Sequence, residues 1–203
     1  METNKMETRD IFPLLMSMSL PMVLSMLVQS LYNIIDSIYV SYLGTGALTA
    51  VSLAFPLQNI VLSVAVGIGV GIASVLSISL GKKDQKLANE AATMGMALTL
   101  IHCVLFVILG LVITEPFIGL FTKEPEVMKQ ACDYTYIVLC FSFGSLLQIA
   151  MAKLYQGIGA MKTTMILLGA GAMINIILDP ILIFGLLGFP EMGVKGAAVA
   201  TVI

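Results

Sequence analysis

From Ile11 to Gly81 the chain carries one charged side chain, Asp36. No soluble core encloses an apolar run of that length in a chain of 203 residues. The remainder agrees. The chain is 59% hydrophobic and 11% charged, with a mean hydropathy of +1.02. Soluble domains sit near ~45–50% apolar and ~25% charged. The class is integral membrane protein.

A helix needs about 20 apolar residues to cross about 30 Å of hydrocarbon. Spans are expected at Phe12–Tyr42, Leu48–Leu80, Leu87–Thr114, Met128–Tyr155 and Met161–Leu187. A sixth begins near Gly193 and is cut off at Ile203. Every backbone group must be satisfied within lipid, and the short alternating segments of a barrel are missing, so these runs are helices. The expected fold is an all-α membrane protein, a polytopic bundle of five full transmembrane helices and a truncated sixth. Because the sixth run stops about halfway across, the sequence is expected to be a fragment. The first run is not read as a cleavable signal: polar residues precede it, it is too long, and no A-x-A site follows.

Five short connectors separate the spans: Leu43–Ala47, Gly81–Lys86, Thr114–Glu126, Gln156–Lys162 and Gly188–Gly193. Lys5, Arg9, Lys82, Lys83, Lys86, Lys153 and Lys162 fall on one side. Lys123, Lys129 and Lys195 fall on the other. The basic side faces the cytoplasm, so the N-terminus is expected there, in a cell membrane. A net charge of -2 without a basic patch argues against nucleic acid as partner; the surrounding partner is membrane lipid. Cys103, Cys132 and Cys140 lie in apolar runs without CxxC spacing and read as packing residues.

Asp36 belongs to a stripe. Ser25, Gln29, Tyr32, Asp36 and Tyr39 are spaced four, three, four and three, which places them on one helix face. Such a face turns to protein or to a watery cavity. Hydrogen bonding between helices accounts for its neutral members. An ionisable carboxylate asks for a function. Asp179 is equally isolated between Lys162 and Glu191, with Asn175 four residues before it. Pro180 has no N–H, so the Ile176 carbonyl loses its helical donor and the helix is expected to bend. Carboxylate, amide oxygen and freed carbonyl are hard donors suited to a small hard cation. The bland alternative is a capped helix break that binds nothing. Pro21 similarly frees Ser17 and is expected to kink the first span; Pro56 reads as a static proline.

GIGVG (Gly67–Gly71) lacks the strand and acid of a dinucleotide loop and reads as close helix packing, as do GAGA (Gly169–Ala172) and GVKGAA (Gly193–Ala198). His102 reads as a packed, hydrogen-bonded histidine.

These residues resemble the N-terminal half of the bacterial multidrug and toxic compound extrusion (MATE) transporters. The matching stretches are YNIIDSIYVSYLGTGALTAVSLAFP, GIGVGIASVLSISLGKKDQKLANEA, and QGIGAMKTTMILLGAGAMINIILDPILIFG with GVKGAAVATVI. The resemblance implies twelve helices in two lobes, of which residues 1–203 would be the N-terminal lobe, incomplete at its end. The C-terminal lobe would be a missing partner, and the full-length protein a monomer. It implies exchange of a sodium ion or proton for an organic cation or drug, with no enzymatic activity and no cofactor. It implies a coupling-ion site of Asp36, Asn175, Asp179, Thr201 and the carbonyl of Ala197, a hinge at Pro21, and cavity residues Gln29 and Tyr32. Ser41 stands where many members have glycine. In the expected mechanism, an ion binding at Asp36 and Asp179 neutralises the pair, and the first helix bends at Pro21 to expel the drug. A flippase of lipid-linked precursors is the alternative within the same superfamily. An intramembrane aspartyl protease fits poorly, because YD and GxGD motifs are missing. A non-transporting scaffold would not need Asp36.

Overall fold

The computed structural model describes residues 10–202, and among them the regular structure is helical. Seven α-helices follow in order: α1 (Ile11–Ser41), α2 (Thr45–Gly81), α3 (Gln85–Gly119), α4 (Pro125–Cys140), α5 (Phe143–Gly157), α6 (Met161–Phe184) and α7 (Val194–Val202). A short 3₁₀ turn, Leu186–Gly188, lies between the last two. Helices α1, α2, α3 and α6 are each long and apolar enough to cross a membrane; α4 and α5, bent by 45° at their junction, reach that length and apolarity only together. At about 1.5 Å per residue, the 31 residues of α1 span about 46 Å, more than the hydrocarbon alone.

Two expectations are corrected. The single span at Met128–Tyr155 is broken at Phe141–Ser142. Ser142 is buried there, and both its hydroxyl, at 2.8 Å, and its backbone N–H, at 3.3 Å, donate to Leu139 O, so that carbonyl stays satisfied across the break. The break brings Gly144 against α7, where a Cβ would stand 2.6 Å from Val202 O. The connector expected from Thr114 starts later, because α3 runs on to Gly119. Thr114 is fully buried and its hydroxyl is satisfied on Gly110 O at 2.6 Å, so the residue sits inside the packed helix and not at its end. Helices α1 and α6 each continue through their internal prolines, Pro21 and Pro180. Around Pro21 the Ser25 hydroxyl contributes a local bond, donating to Pro21 O at 2.8 Å.

Local chemistry sets the remaining boundaries. Asp84 caps α3, its Oδ1 accepting from Leu87 N at 3.0 Å. Pro125 opens α4. Gly185 closes α6 in the left-handed region at φ +70°. Past it the chain doubles back: Met192 N donates to Leu182 O at 3.0 Å and Gly193 N to Ile183 O at 3.1 Å. This seats α7 on α6, and Gly196 lies so close that a Cβ would stand 2.5 Å from Leu182 O.

Packing follows the small residues. The core at one end gathers Val40, Ala47, Ala54, Tyr134, Ile183 and Ala197 from five helices. A second cluster joins Leu57, Val61, Cys103, Phe106 and Leu146. Of the GIGVG glycines only Gly69 meets another helix; Gly67 and Gly71 face open space, so the packing role belongs to one residue of the motif. Cys103 and Cys132 are buried, Cys140 is half-buried, and all three are free. His102 is half-buried and its Nδ1 is 2.9 Å from Leu98 O. An ion pair, Lys195–Asp133 at 3.2 Å, ties α7 to α4. Lys5 and Arg9, counted for orientation, lie outside the described residues. The outward surface is apolar, with Leu24, Leu31, Ile60, Ile101 and Leu111 all exposed, as lipid contact requires.

Candidate ion-binding site

Helix α1 packs chiefly on α6. Along α1, Ser25 is buried and Gln29, Tyr32, Asp36 and Tyr39 are half-buried, while Leu27, Leu31, Ile34 and Ile38 are exposed. The polar stripe therefore turns inward. On α6 the inward face presents Asn175, 6% exposed, and Asp179, fully buried. Asp36 lies near enough to Asp179 for their charges to interact, and Tyr32 and Tyr134 lie within range of both carboxylates.

These groups are short of partners. Asp36 Oδ1, Asn175 Nδ2 and Oδ1, and both oxygens of Asp179 are buried without a hydrogen bond. A buried polar atom left so costs about 1–3 kcal/mol, and more when charged. Folded proteins satisfy most such atoms. Five on three neighbouring side chains mark a place built to receive something. Their chemistry is hard oxygen plus one amide, and two carboxylates together favour a proton or a small cation. Among the described residues no group of three His, Cys, Asp or Glu side chains comes together, so the set does not suit a soft transition metal.

Of the other expected residues, Thr201 is half-buried and its hydroxyl donates to Ala197 O at 2.9 Å. Ala197 itself is fully buried in the core cluster. Pro21 is half-buried on the stripe face one turn before Ser25, away from the carboxylates. Tyr39 is drawn into packing, its ring edge-on to Phe184 at 6.2 Å.

Three cavities adjoin the stripe. The largest, about 690 Å³, is lined by Asp36, Tyr32, Asn33, Gln58, Tyr134 and Thr201 among others. A small one of about 50 Å³ holds Gln29, Tyr32, Gln148, Asn175 and Thr201. A third of about 190 Å³ has Ser25, Gln29, Lys153 and Gln156 in its wall. Gln29 is shared by the last two, and Tyr32 and Thr201 by the first two, so one polar seam links all three. Sequence reading missed Gln58, Tyr134, Gln148 and Lys153. Gln58 and Asn59 form the polar pair of an otherwise apolar stretch of α2, a signal that the search for isolated charges passed over. Tyr134 carries no such signal: its ring is buried in the core and its hydroxyl donates to Gln58 Oε1 at 3.5 Å. Lys153 was counted only for orientation, at the end of an expected span; it sits a turn inside α5.

A polytopic helical bundle enclosing unpartnered carboxylates and solvent cavities belongs to the class of membrane transport proteins. The MatE family model matches residues 21–181, and the chain belongs to that family. It is 30% identical over 190 residues to the FAD transporter of Shewanella oneidensis, covering 92% of this chain and 41% of that protein. It is 31% identical over 191 residues to the probable multidrug resistance protein YoeA of Bacillus subtilis, again covering 92% and 41%. Among solved structures, a MOP superfamily transporter from Pyrococcus furiosus superposes with a TM-score of 0.92 at 31% identity, covering all of this chain and 44% of that one. The chain thus spans less than half the length of these relatives. It is a multi-pass membrane protein of a transporter family.

Proposed function

We propose that this chain is the N-terminal lobe of a cation-coupled antiporter that exports organic cations and drugs across the cytoplasmic membrane, with its N-terminus in the cytoplasm. The observation that carries the reading is the set of unpartnered buried atoms on Asp36, Asn175 and Asp179, with Asp36 in the wall of an open cavity. A sodium ion or a proton is the natural occupant: either neutralises carboxylates that the low-dielectric interior penalises when ionised and unpaired. Thr201 and the Ala197 carbonyl stand on the third helix of the site, and Gln29 and Tyr32 line the way to it.

Ion entry and drug exit are alternatives in this scheme. With the pair charged, the cavity beside Asp36 favours a cationic molecule; with the ion bound, that attraction is lost. Pro21 supplies the hinge, because Ser17 O has no donor four residues on and α1 bends there at low cost. The second lobe completes the cavity wall that α1 and α2 leave open. Each charge crossing 100 mV supplies about 2.3 kcal/mol, enough for roughly fifty-fold accumulation.

The test is ethidium efflux by the full-length transporter with Asp36→Asn or Asp179→Asn. Loss of efflux in both is expected. Near-normal efflux in both would overturn the ion site.

A further inference from the structure

The polar seam ends at a cation. Lys153 lies in α5, half-buried, at the wall of the 190 Å³ cavity between α1, α2, α5 and α6. The rest of that wall is largely apolar: Met22, Met26, Leu62, Val66, Ile149 and Leu168. The charge is accommodated by construction. Its stem crosses α2 at Gly69, where a Cβ would stand 2.5 Å from Lys153 Cγ, so only glycine leaves room. Its ammonium donates to Gln156 Oε1 at 3.0 Å. The ion pairs of the described residues are Lys86–Glu90 and Lys195–Asp133; Lys153 is in neither. The groups that α1 and α6 present to the cavity, Ser25, Gln29 and Thr164, are neutral. A cation within a membrane span ordinarily pairs, and this one has one neutral acceptor for three N–H donors.

We propose that this cavity binds the anionic group of an amphipathic molecule, a carboxylate, sulfonate or phosphate, on the Lys153 ammonium, with the apolar body against the methionines and leucines. The anionic group takes the two donors that Gln156 leaves free. Ser25 and Gln29 hydrogen-bond its polar neighbours. The inference rests on the transport reading for what happens after binding, and it extends the carried molecules beyond organic cations. The same anionic chemistry is available from a soluble amphiphile and from a lipid headgroup.

The experiment is equilibrium binding of 2-naphthoate, 2-naphthamide and 2-naphthylmethylammonium to the full-length transporter in phosphatidylcholine nanodiscs. The naphthoate is expected to bind at least about tenfold tighter than the amide, the factor a charge-assisted hydrogen bond supplies. Lys153→Met keeps the stem over Gly69 and should abolish that preference; Lys153→Arg should restore it. Equal affinity for the three probes in the wild type, or an unchanged preference in Lys153→Met, overturns the proposal. Repeating the titration with phosphatidylglycerol in the disc separates the sources. Competition identifies a lipid headgroup as the ligand, and its absence a soluble amphiphile. Ethidium efflux surviving in Asp36→Asn would overturn the ion site and leave this preference standing, so the two readings fail separately.

Discussion

Asp36 on α1 and Asp179 on α6 share one interior site, and three of their four carboxylate oxygens are buried without a hydrogen bond. Nothing in the packing of the lobe requires this. Leucine or asparagine at either position would fold with less penalty. The arrangement is maintained at a cost in stability, and the predictions below follow from what would relieve it.

Asp179→Asn removes a fully buried charge while keeping the shape of the side chain. In sodium-free buffer at alkaline pH the variant should melt higher than the wild type. A gain of about 1 kcal/mol corresponds to about 2–4 °C for a chain of this size. Adding sodium or lowering the pH should raise the wild-type midpoint and leave the variant's nearly unchanged. Thermal unfolding in detergent, followed by cysteine-reactive fluorescence, reads both. A lower midpoint for the variant under every condition would mean that Asp179 holds the fold together.

Pro21→Ala gives Ser17 O its helical donor and stiffens α1 where bending is proposed. Ethidium efflux should fall several-fold, on the order of what 1 kcal/mol supplies. Ion-dependent stabilisation should remain, because Pro21 stands away from the carboxylates. Loss of both would place Pro21 in the ion site, against its position in the fold.

Much of this was legible in the sequence, for a physical reason. Charge within a membrane span is so costly that isolation alone points to Asp36 and Asp179, and helical spacing adds Gln29, Tyr32 and Asn175. What escaped was whatever depends on the meeting of helices. Tyr134 and Gln58 are 76 positions apart and become neighbours only when α4 packs on α2. The break at Ser142 has no proline to announce it; the Ser142 hydroxyl and N–H together satisfy Leu139 O there. Lys153 looks like a boundary charge until Gly69 is seen to make room for its stem. Composition also could not separate the one packed glycine of GIGVG from its two companions that face open space.

The same contrast between a packed and an open glycine is testable with Gly196 and Gly67. Gly196→Ala places a methyl group against Leu182 O and should destabilise the lobe by about 1–3 kcal/mol. Gly67→Ala meets nothing within 4 Å and should be neutral or stabilising by up to about 1 kcal/mol. Thermal midpoints of the two variants, measured side by side, decide whether α7 is seated on α6 as described.

Orientation yields a further outcome. In a variant with its three native cysteines replaced, Lys82→Cys should react with an impermeant maleimide only in inverted vesicles. Lys123→Cys should react in intact cells. The opposite pattern would invert the proposed topology.

The central claim is that Asp36 and Asp179 take the coupling ion. The most direct measurement is the infrared difference spectrum of the carboxyl region, recorded between sodium-free and sodium-loaded protein and between low and high pH. Bands that respond to one of the two ions in the wild type, and disappear in Asp36→Asn and Asp179→Asn, are predicted. Identical spectra in the wild type and both variants would contradict the account.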